Sequence, residues 1–310
     1  MDHRLFTRIS RTICHAENRL TVWRPLLIKL VCLTLPYANY PLERGIEGVA
    51  RAGYSYVGLG WSHEGEDTLG FDPDGPLVHR TKTLCEQAGL TPVVIGLGST
   101  PARDNARYLM RRIDVCRALG AETIQMGGAG GYRRFPHEPL APEVFRAAHE
   151  AYVADLQEAG TYAQKQNIIL APKPHTGNTA TAKHLARLLP EIDRPSVRAC
   201  YDPGNVHYYE GISPEDDFPH IADQTCKIIA KDHIGPKAEN NFPIPGEGDI
   251  DFERIFATAL EAGFDGPVVV ERVNGTGGTF TAEEIDIRIR HSRENVIDLL
   301  NSAGFALDET

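Results

Sequence analysis

At Ile228-Ile229-Ala230-Lys231-Asp232-His233 a short apolar run ends in a cluster of ionisable residues. The same pattern occurs at three other places. They are 168–170 before Lys173 and His175, 197–201 before Asp202 and His207, and 268–270 before Glu271. The steps between Lys173, Asp202, Asp232 and Glu271, in that order, are 29, 30 and 39 residues. A strand, a helix and two loops need about 30 residues or more. The spacing therefore indicates a repeated β/α unit with polar side chains at each strand end.

Eight strand-like runs alternate with helical segments, which predicts an α/β fold of the (β/α)8 TIM barrel type. The predicted strands are 28–34, 54–59, 92–97, 123–126, 167–171, 197–201, 225–230 and 267–270. They are short and continuously apolar, as expected for a parallel sheet that is buried on both faces. An open doubly wound sheet is the alternative, but it requires a Gly-rich phosphate loop after the first strand. The sequence at 36–39 is Pro-Tyr-Ala-Asn, which is not such a loop.

The helical segments follow these strands in turn. They are predicted over 42–52, 101–119, 142–165, 213–222, 252–262 and 282–303. For two further helices one bound is predicted: the second helix ends at 88, and the fifth starts after 178 or 179. Pro101 suits a first helical turn capped by Thr100. A single barrel domain is thus predicted over residues 28–303, with an N-terminal extension at 1–27 and a C-terminal tail at 304–310. The first 25 residues carry five arginines and two acidic residues. A targeting segment is therefore the alternative to a frayed extension.

Composition limits the classes of function. The chain of 310 residues is 42% hydrophobic and 24% charged, which is ordinary for a soluble globular protein. Its net charge of −10 argues against nucleic-acid binding, and no apolar stretch reaches the roughly 18 residues of a membrane-spanning helix. Six cysteines without a C-x-x-C motif predict reduced thiols and a cytoplasmic protein. The expected partner is a small molecule, with neither nucleic acid nor membrane, and homo-oligomerisation is left open.

Two carboxylates and one amine are the strongest candidates for chemistry. Asp202 and Glu271 follow strands that can approach each other at the barrel mouth, where they could bind one divalent cation or act as an acid–base pair. The alternative is that each caps a helix or pairs with an arginine. Lys173 could stabilise a substrate oxygen, act as a general base or form a Schiff base. It could also simply form an ion pair with Asp202 or Glu271.

Other polar residues are candidates for binding. His175, His207 and His233 follow three strands, and imidazole is a common metal ligand, although each alone could be structural. Lys231-Asp232 indicates an ion pair that could meet the hydroxyls of a polyol. The remaining candidate substrate contacts are Asn205, His207, Asp232, Trp61 and Arg133.

Two of these candidates have plain structural alternatives. Trp61 could stack on a sugar face or cover the barrel top. The glycine-rich loop 127–131 lies beside Arg133 and Arg134 and could hold a phosphate. The same glycines could merely allow the loop to turn.

Taken together, these motifs resemble the xylose-isomerase-like TIM barrels, a superfamily of sugar isomerases and epimerases that also contains endonuclease IV. The resemblance covers about residues 28–303. It rests on Leu170-Ala171-Pro172-Lys173-Pro174-His175-Thr176-Gly177, Tyr201-Asp202-Pro203-Gly204-Asn205, Ala230-Lys231-Asp232-His233, Gly246-Glu247-Gly248-Asp249-Ile250-Asp251-Phe252, and Gly263-Phe264-Asp265-Gly266-Pro267 leading to Glu271.

The resemblance implies a divalent metal held by a Glu, an Asp, a His and a final Glu. The Asp matches Asp202 and the final Glu matches Glu271, but the first Glu position holds Lys173 and the His position holds Ile229. A cation (Mn, Zn, Mg or Co) would then need Asp202 and Glu271 with one or more of the three histidines. Otherwise the cation is lost, and Lys173 supplies the positive charge. No organic cofactor is expected.

The expected function is a carbohydrate isomerase or epimerase that removes a proton next to the carbonyl of a small sugar or keto-sugar. Glu271 is the expected base, and Lys173, or a metal on Asp202, stabilises the enediolate oxygen. His175 and Lys231 complete the expected catalytic set. The alternatives are a lyase or dehydratase on a keto-sugar or keto-glycoside and a non-catalytic sugar-binding barrel. An abasic-site nuclease is disfavoured by the acidic charge and the two altered ligand positions.

Overall fold

The computed structural model describes residues 27–97 and 105–308 of the chain. Eight parallel strands form one sheet within these ranges. They are β1 (Leu30–Leu33), β2 (Tyr56–Leu59), β3 (Thr91–Gly96), β4 (Thr123–Met126), β5 (Ile169–Pro172), β6 (Ala199–Tyr201), β7 (Thr225–Ala230) and β8 (Val268–Val270). Their order in the sheet is β5-β4-β3-β2-β1-β8-β7-β6. The predicted TIM barrel is confirmed.

The two ends of this sheet meet and close the cylinder. Leu170 in β5 forms a parallel bridge with Val197, just before β6. Its amide donates to the carbonyl of Ser196 at 2.8 Å, and its carbonyl accepts from the amide of Arg198 at 3.1 Å. Closure places the C-terminal ends of all eight strands around one mouth. Outside the barrel, Leu27–Ile28 pairs in parallel with Ala306–Leu307.

Helices follow the strands, and except after β6 their bounds lie close to the predicted ones. They are α1 (Leu42–Arg51), α2 (Pro76–Ala88), α3 (Asn105–Ala118), α4 (Pro142–Gln166), α5 (Ala182–Ile192), α6 (Pro203–Glu210), α7 (Pro214–Asp217), α8 (Phe252–Glu261) and α9 (Ala282–Ala303). The predicted cap at Thr100 and first turn at Pro101 lie outside the described residues. None of the described helices combines the length and apolarity that a membrane-spanning helix needs.

The region after β6 differs from the prediction. A helix was expected over 213–222, but α6 begins directly after the strand, at Pro203. The side chain of Asp202 caps it by accepting the amide of Asn205 at 2.9 Å, and proline suits the first helical position. Only the short α7 and two single turns of 3-10 helix occupy the expected stretch. The Asp-Pro pair is the sequence signal for this helix start.

The core has two layers. Inside the barrel, a small cluster of strand residues that includes Val31, Leu33 and Ile229 fills the interior. A larger cluster packs the outer faces of the strands against the helices. The five described cysteines are buried and unpaired, and burial raises the pKa of the Cys200 thiol to about 12. Cys200 is therefore a core thiol rather than a nucleophile.

Candidate active site

Four ionisable side chains from four consecutive strands meet at the mouth of the barrel. The Lys173 ammonium lies 2.7 Å from a carboxylate oxygen of Asp202 and 2.8 Å from Glu271. The Lys231 ammonium lies 2.8 Å from Asp202 and 2.9 Å from Glu271. We call these four residues the quartet. The predicted convergence of Lys173, Asp202 and Glu271 is thus present in the structure, and Lys231 completes an arrangement of two positive and two negative charges.

The quartet is almost withdrawn from water. The exposed fractions of Lys173, Asp202, Lys231 and Glu271 are 8%, 0%, 2% and 5%. Burial opposes the charged form of Glu271, but the two ammonium groups outweigh it and hold the pKa of Glu271 well below its usual range. Burial likewise opposes the charge on Lys173, yet the carboxylates of Asp202 and Glu271 raise the pKa of Lys173.

The two amines differ in how firmly they hold a proton. For Lys231 burial outweighs the same two carboxylates, so the pKa of Lys231 is lowered. Lys231 is therefore the amine of the quartet that releases a proton more readily.

A cleft of about 440 Å³ opens above the quartet. Gln125, at the end of β4, donates to Glu271 at 2.7 Å, and its own carbonyl oxygen is buried with no partner among the described residues. Asn205 lines the same cleft and donates to the carbonyl of Pro174 at 2.7 Å. The predicted substrate contact Trp61 also lines it. The cleft thus combines buried charges, amides and one aromatic face.

His175 stands at the rim of this cleft, as predicted for a residue of the site. Its Nε2 lies 2.9 Å from the hydroxyl of Tyr209. The residue keeps an exposed part. Loss of water around its ring, followed by the charges of the Lys173 and Lys231 ammonium groups, lowers the pKa of His175 to about 4. The imidazole is therefore neutral near pH 7.

The other two histidines do not reach the quartet. Nδ1 of His207 lies 2.9 Å from Nδ1 of His233, so the two rings bond to each other. Nε2 of His233 lies 2.6 Å from the carbonyl of Glu239. His207 is carried by α6, the helix absent from the sequence prediction, and this helix turns it toward His233 and away from the mouth.

Asp232, a predicted contact with substrate, accepts a set of backbone hydrogen bonds. Its carboxylate is fully buried and accepts four backbone N–H groups. They belong to His233, Gly246, Gly248 and Ile250, at distances of 2.8 to 3.2 Å. The predicted ion pair between Lys231 and Asp232 is not formed, because successive residues at a strand end point to opposite sides. Lys231 enters the quartet, while Asp232 fixes the loop before α8.

The glycine-rich loop 127–131 packs against the segment that follows β5. The amide of Ala129 donates to Asn178 at 2.7 Å, and a side chain at Gly128 would collide with Asn178 and Thr179, so close packing accounts for that glycine. Arg133 and Arg134 lie on an exposed hairpin, where both donate to Glu138. Arg133 is not among the residues that line the cleft above the quartet.

Sequence reasoning missed several residues of the site. Gln125, Tyr209 and Arg272 line the cleft. No local pattern in the sequence marks these three residues as part of the site. Lys227 is also buried, with no partner for its amine among the described residues, and burial lowers the pKa of Lys227. It precedes Lys231 by four residues and so lies on the same face of β7.

The residues present do not form the metal site that the resemblance implies. Among the described residues, no group of three or more His, Cys, Asp or Glu side chains lies close enough to hold a metal ion. Asp202 and Glu271 are together, but two ammonium groups hold their oxygens. The expected rearranged set with His175, His207 and His233 is therefore not assembled.

Residues 46–294 match the family described as "Xylose isomerase-like TIM barrel". The chain belongs to this family, and the resemblance expected from its motifs is confirmed.

Individual relatives are more distant. Inosose dehydratase from Geobacillus kaustophilus is 28% identical over 169 residues, which cover 49% of this chain and 54% of that protein. The chain thus spans about half the length of this relative. The IOLI protein, solved with a zinc atom, superposes with a TM-score of 0.69 at 15% identity, covering 90% of this chain and all of that one. D-psicose 3-epimerase from Clostridium cellulolyticum has a TM-score of 0.66 at 15% identity, covering 88% and 99%. The likeness to these two structures establishes the fold alone.

Replacing Asp232 is expected to destabilise the fold. In Asp232→Ala the four amides lose their buried acceptor, so the free energy of unfolding is expected to fall by about 3 kcal/mol or more. The measurement is urea denaturation followed by circular dichroism. Asp298→Ala, at an exposed position of α9, is the matched control and is expected to change stability by less than about 0.5 kcal/mol. If Asp232 only contacted substrate and had no structural role, Asp232→Ala would be as stable as this control.

Chelation is expected to leave the protein unchanged, because lysines already neutralise both carboxylates. After dialysis against a chelator, elemental analysis is expected to find substoichiometric metal, with Tm equal to that of untreated protein. Lys173→Glu combined with Ile229→His restores the residue types that the resemblance implies and is expected to gain Mn²⁺ binding. Stoichiometric metal in the unaltered protein, with a Tm that drops on its removal, would contradict this expectation.

Proposed function

We propose that the chain is an isomerase or epimerase of a small carbohydrate that removes a proton from a carbon next to a carbonyl group. The observation that carries this proposal is the quartet itself, which forms the floor of a cleft of about 440 Å³. Such a cleft is large enough for one sugar ring. Membership of a family with epimerases among its structural neighbours supports the same chemistry.

The amines supply the electrostatic part of the mechanism. Removing a proton next to a carbonyl builds negative charge on the carbonyl oxygen, and a fixed cation at that oxygen lowers the barrier. Lys173 and Lys231 are held in place by Asp202 and Glu271, so their charges are positioned before substrate arrives. Lys231, with its lowered pKa, is the better proton donor to the enediolate oxygen.

Glu271 is the proposed base, and its strength depends on the lysines. While it accepts from Lys173, Lys231 and Gln125, its lowered pKa makes it a weak base. An ammonium group that turns to the substrate oxygen withdraws one of these hydrogen bonds. The basicity of Glu271 then rises at the step where a base is needed. Binding of the substrate oxygen and proton removal are thereby coupled.

The rim of the cleft supplies recognition. Trp61 can stack on the apolar face of a sugar ring, while Asn205 and the neutral His175 can bond to hydroxyls.

A dehydratase is the second candidate, because curated relatives that match the chain are inosose dehydratases. Elimination of water from a keto-sugar or keto-cyclitol begins with the same proton removal. The two activities separate in one experiment with a panel of keto-sugars and keto-cyclitols in D₂O. Deuterium uptake without loss of water indicates an isomerase or epimerase, and release of water with a new enone absorbance indicates a dehydratase.

Glu271→Gln tests both candidates. Because a general base contributes 10²- to 10⁴-fold, turnover is expected to fall by at least about 100-fold. Asp286→Asn is the matched control, since Asp286 is also a buried carboxylate in an ion pair, with Arg44, but lies on the outer helix α9. Its turnover per folded molecule is expected to equal that of the unaltered chain. Full activity in Glu271→Gln, with a far-ultraviolet spectrum that shows intact fold, would remove Glu271 as base.

A further inference from the structure

A second cleft adjoins the one above the quartet. It has a volume of about 380 Å³, and Glu271 and Arg272 line both clefts. Its walls come from the loop after β1, the segment after β8 and the start of α9. A molecule bound over the quartet can therefore extend into this second cleft without leaving the protein surface.

Two arginines without acidic partners line the second cleft. Arg272 and Arg288 are half-buried, and neither forms an ion pair within the described part of the chain. Nε of Arg272 donates to Asn274 at 3.2 Å, and Nε of Arg288 donates to the carbonyl of Val273. No described residue accepts a hydrogen bond from the terminal nitrogens of either guanidinium.

Both guanidinium groups are held in fixed orientations by aromatic rings. The Arg272 guanidinium lies 4.1 Å from the ring centre of Phe242, and that of Arg288 lies 4.6 Å from Phe280. Stacking of this kind orients the planar group while leaving its N–H edge available. The half-buried Arg44, by contrast, is paired with Asp286 at 2.8 Å.

We propose that the second cleft binds an anionic group of the substrate, a phosphate or a carboxylate, through Arg272 and Arg288. This deepens the proposed function, since it assigns the substrate to phosphorylated or carboxylated sugars. Guanidinium groups bind both oxyanions through paired N–H donors. The quartet is electrically neutral and offers an anion no net attraction, whereas the second cleft carries two uncompensated positive charges.

Direct binding of small anions tests the proposal without relying on turnover. Isothermal titration calorimetry with inorganic phosphate and with acetate is expected to detect binding to the unaltered chain. In Arg288→Gln and in Arg272→Gln the Kd is expected to rise at least about tenfold, the loss of one charge-assisted contact. Arg288→Lys keeps the charge but not the paired donors. Its Kd is expected to lie between those of the unaltered chain and of Arg288→Gln. Equal affinity in all variants, or no binding of either anion, would overturn the proposal.

Arg290→Gln is the matched control, because Arg290 is an exposed arginine of the same helix that bonds to the carbonyl of Arg51. It removes the same charge and is expected to change the Kd for phosphate less than twofold. If Arg290→Gln lost as much affinity for phosphate as Arg288→Gln, the effect would be explained by general surface charge, and the proposed site would be rejected.

Sugars then distinguish the two anions. Titration with D-glucose 6-phosphate, D-glucuronate and D-glucose is expected to show at least tenfold tighter binding of one anionic sugar than of glucose. Arg288→Gln is expected to abolish that difference. Glu271→Gln is expected to keep anion binding. Binding of phosphate without exchange of a substrate proton would disprove the enzyme function and leave this inference standing. Exchange of a substrate proton without binding of phosphate would disprove the inference alone.

Discussion

The site depends on one interaction, the mutual neutralisation of two ammonium and two carboxylate groups in the mouth of the barrel. Withdrawing each ion from water costs several kcal/mol, and attraction between the ions repays this only when the geometry is good. Four contacts of 2.7 to 2.9 Å meet that condition. No member can be removed alone without leaving a buried charge, which costs about 3–5 kcal/mol. The quartet therefore fixes a pattern of charge rather than adding much net stability.

The barrel places this pattern through its closure. The members of the quartet follow β5, β6, β7 and β8, which are consecutive around the cylinder. Residues next to them in sequence serve other purposes, because side chains at a strand end alternate in direction. Asp232 binds four amides of a loop beside Lys231, and Arg272 lines a second cleft beside Glu271. One strand end can thus supply both a residue of the quartet and a neighbouring residue that fixes a loop or lines a cleft beside it.

The barrel and part of the quartet could be predicted from the sequence, because position at a strand end determines which side chains reach the mouth. Position at a strand end was sufficient to predict that Lys173, Asp202 and Glu271 lie at the mouth. The histidines could not be predicted in the same way, since the direction of a loop side chain depends on the loop. His207 sits on a helix that the prediction lacked, and it bonds to His233. Gln125 lay within a correctly predicted strand, but its bond to Glu271 crosses the barrel and leaves no local pattern.

The neutrality of the quartet constrains what the rest of the mouth must do. A site that carries no net charge cannot draw a charged substrate from solution, and the chain as a whole is negative, at −10. Any attraction for an anion must then come from cations that have no acid beside them. Arg272 and Arg288 are such cations, and Arg272 borders both clefts. The two parts of the mouth therefore have different electrostatic roles. The second cleft is suited to hold an anionic group. The quartet can respond to the charge that develops on a reacting oxygen.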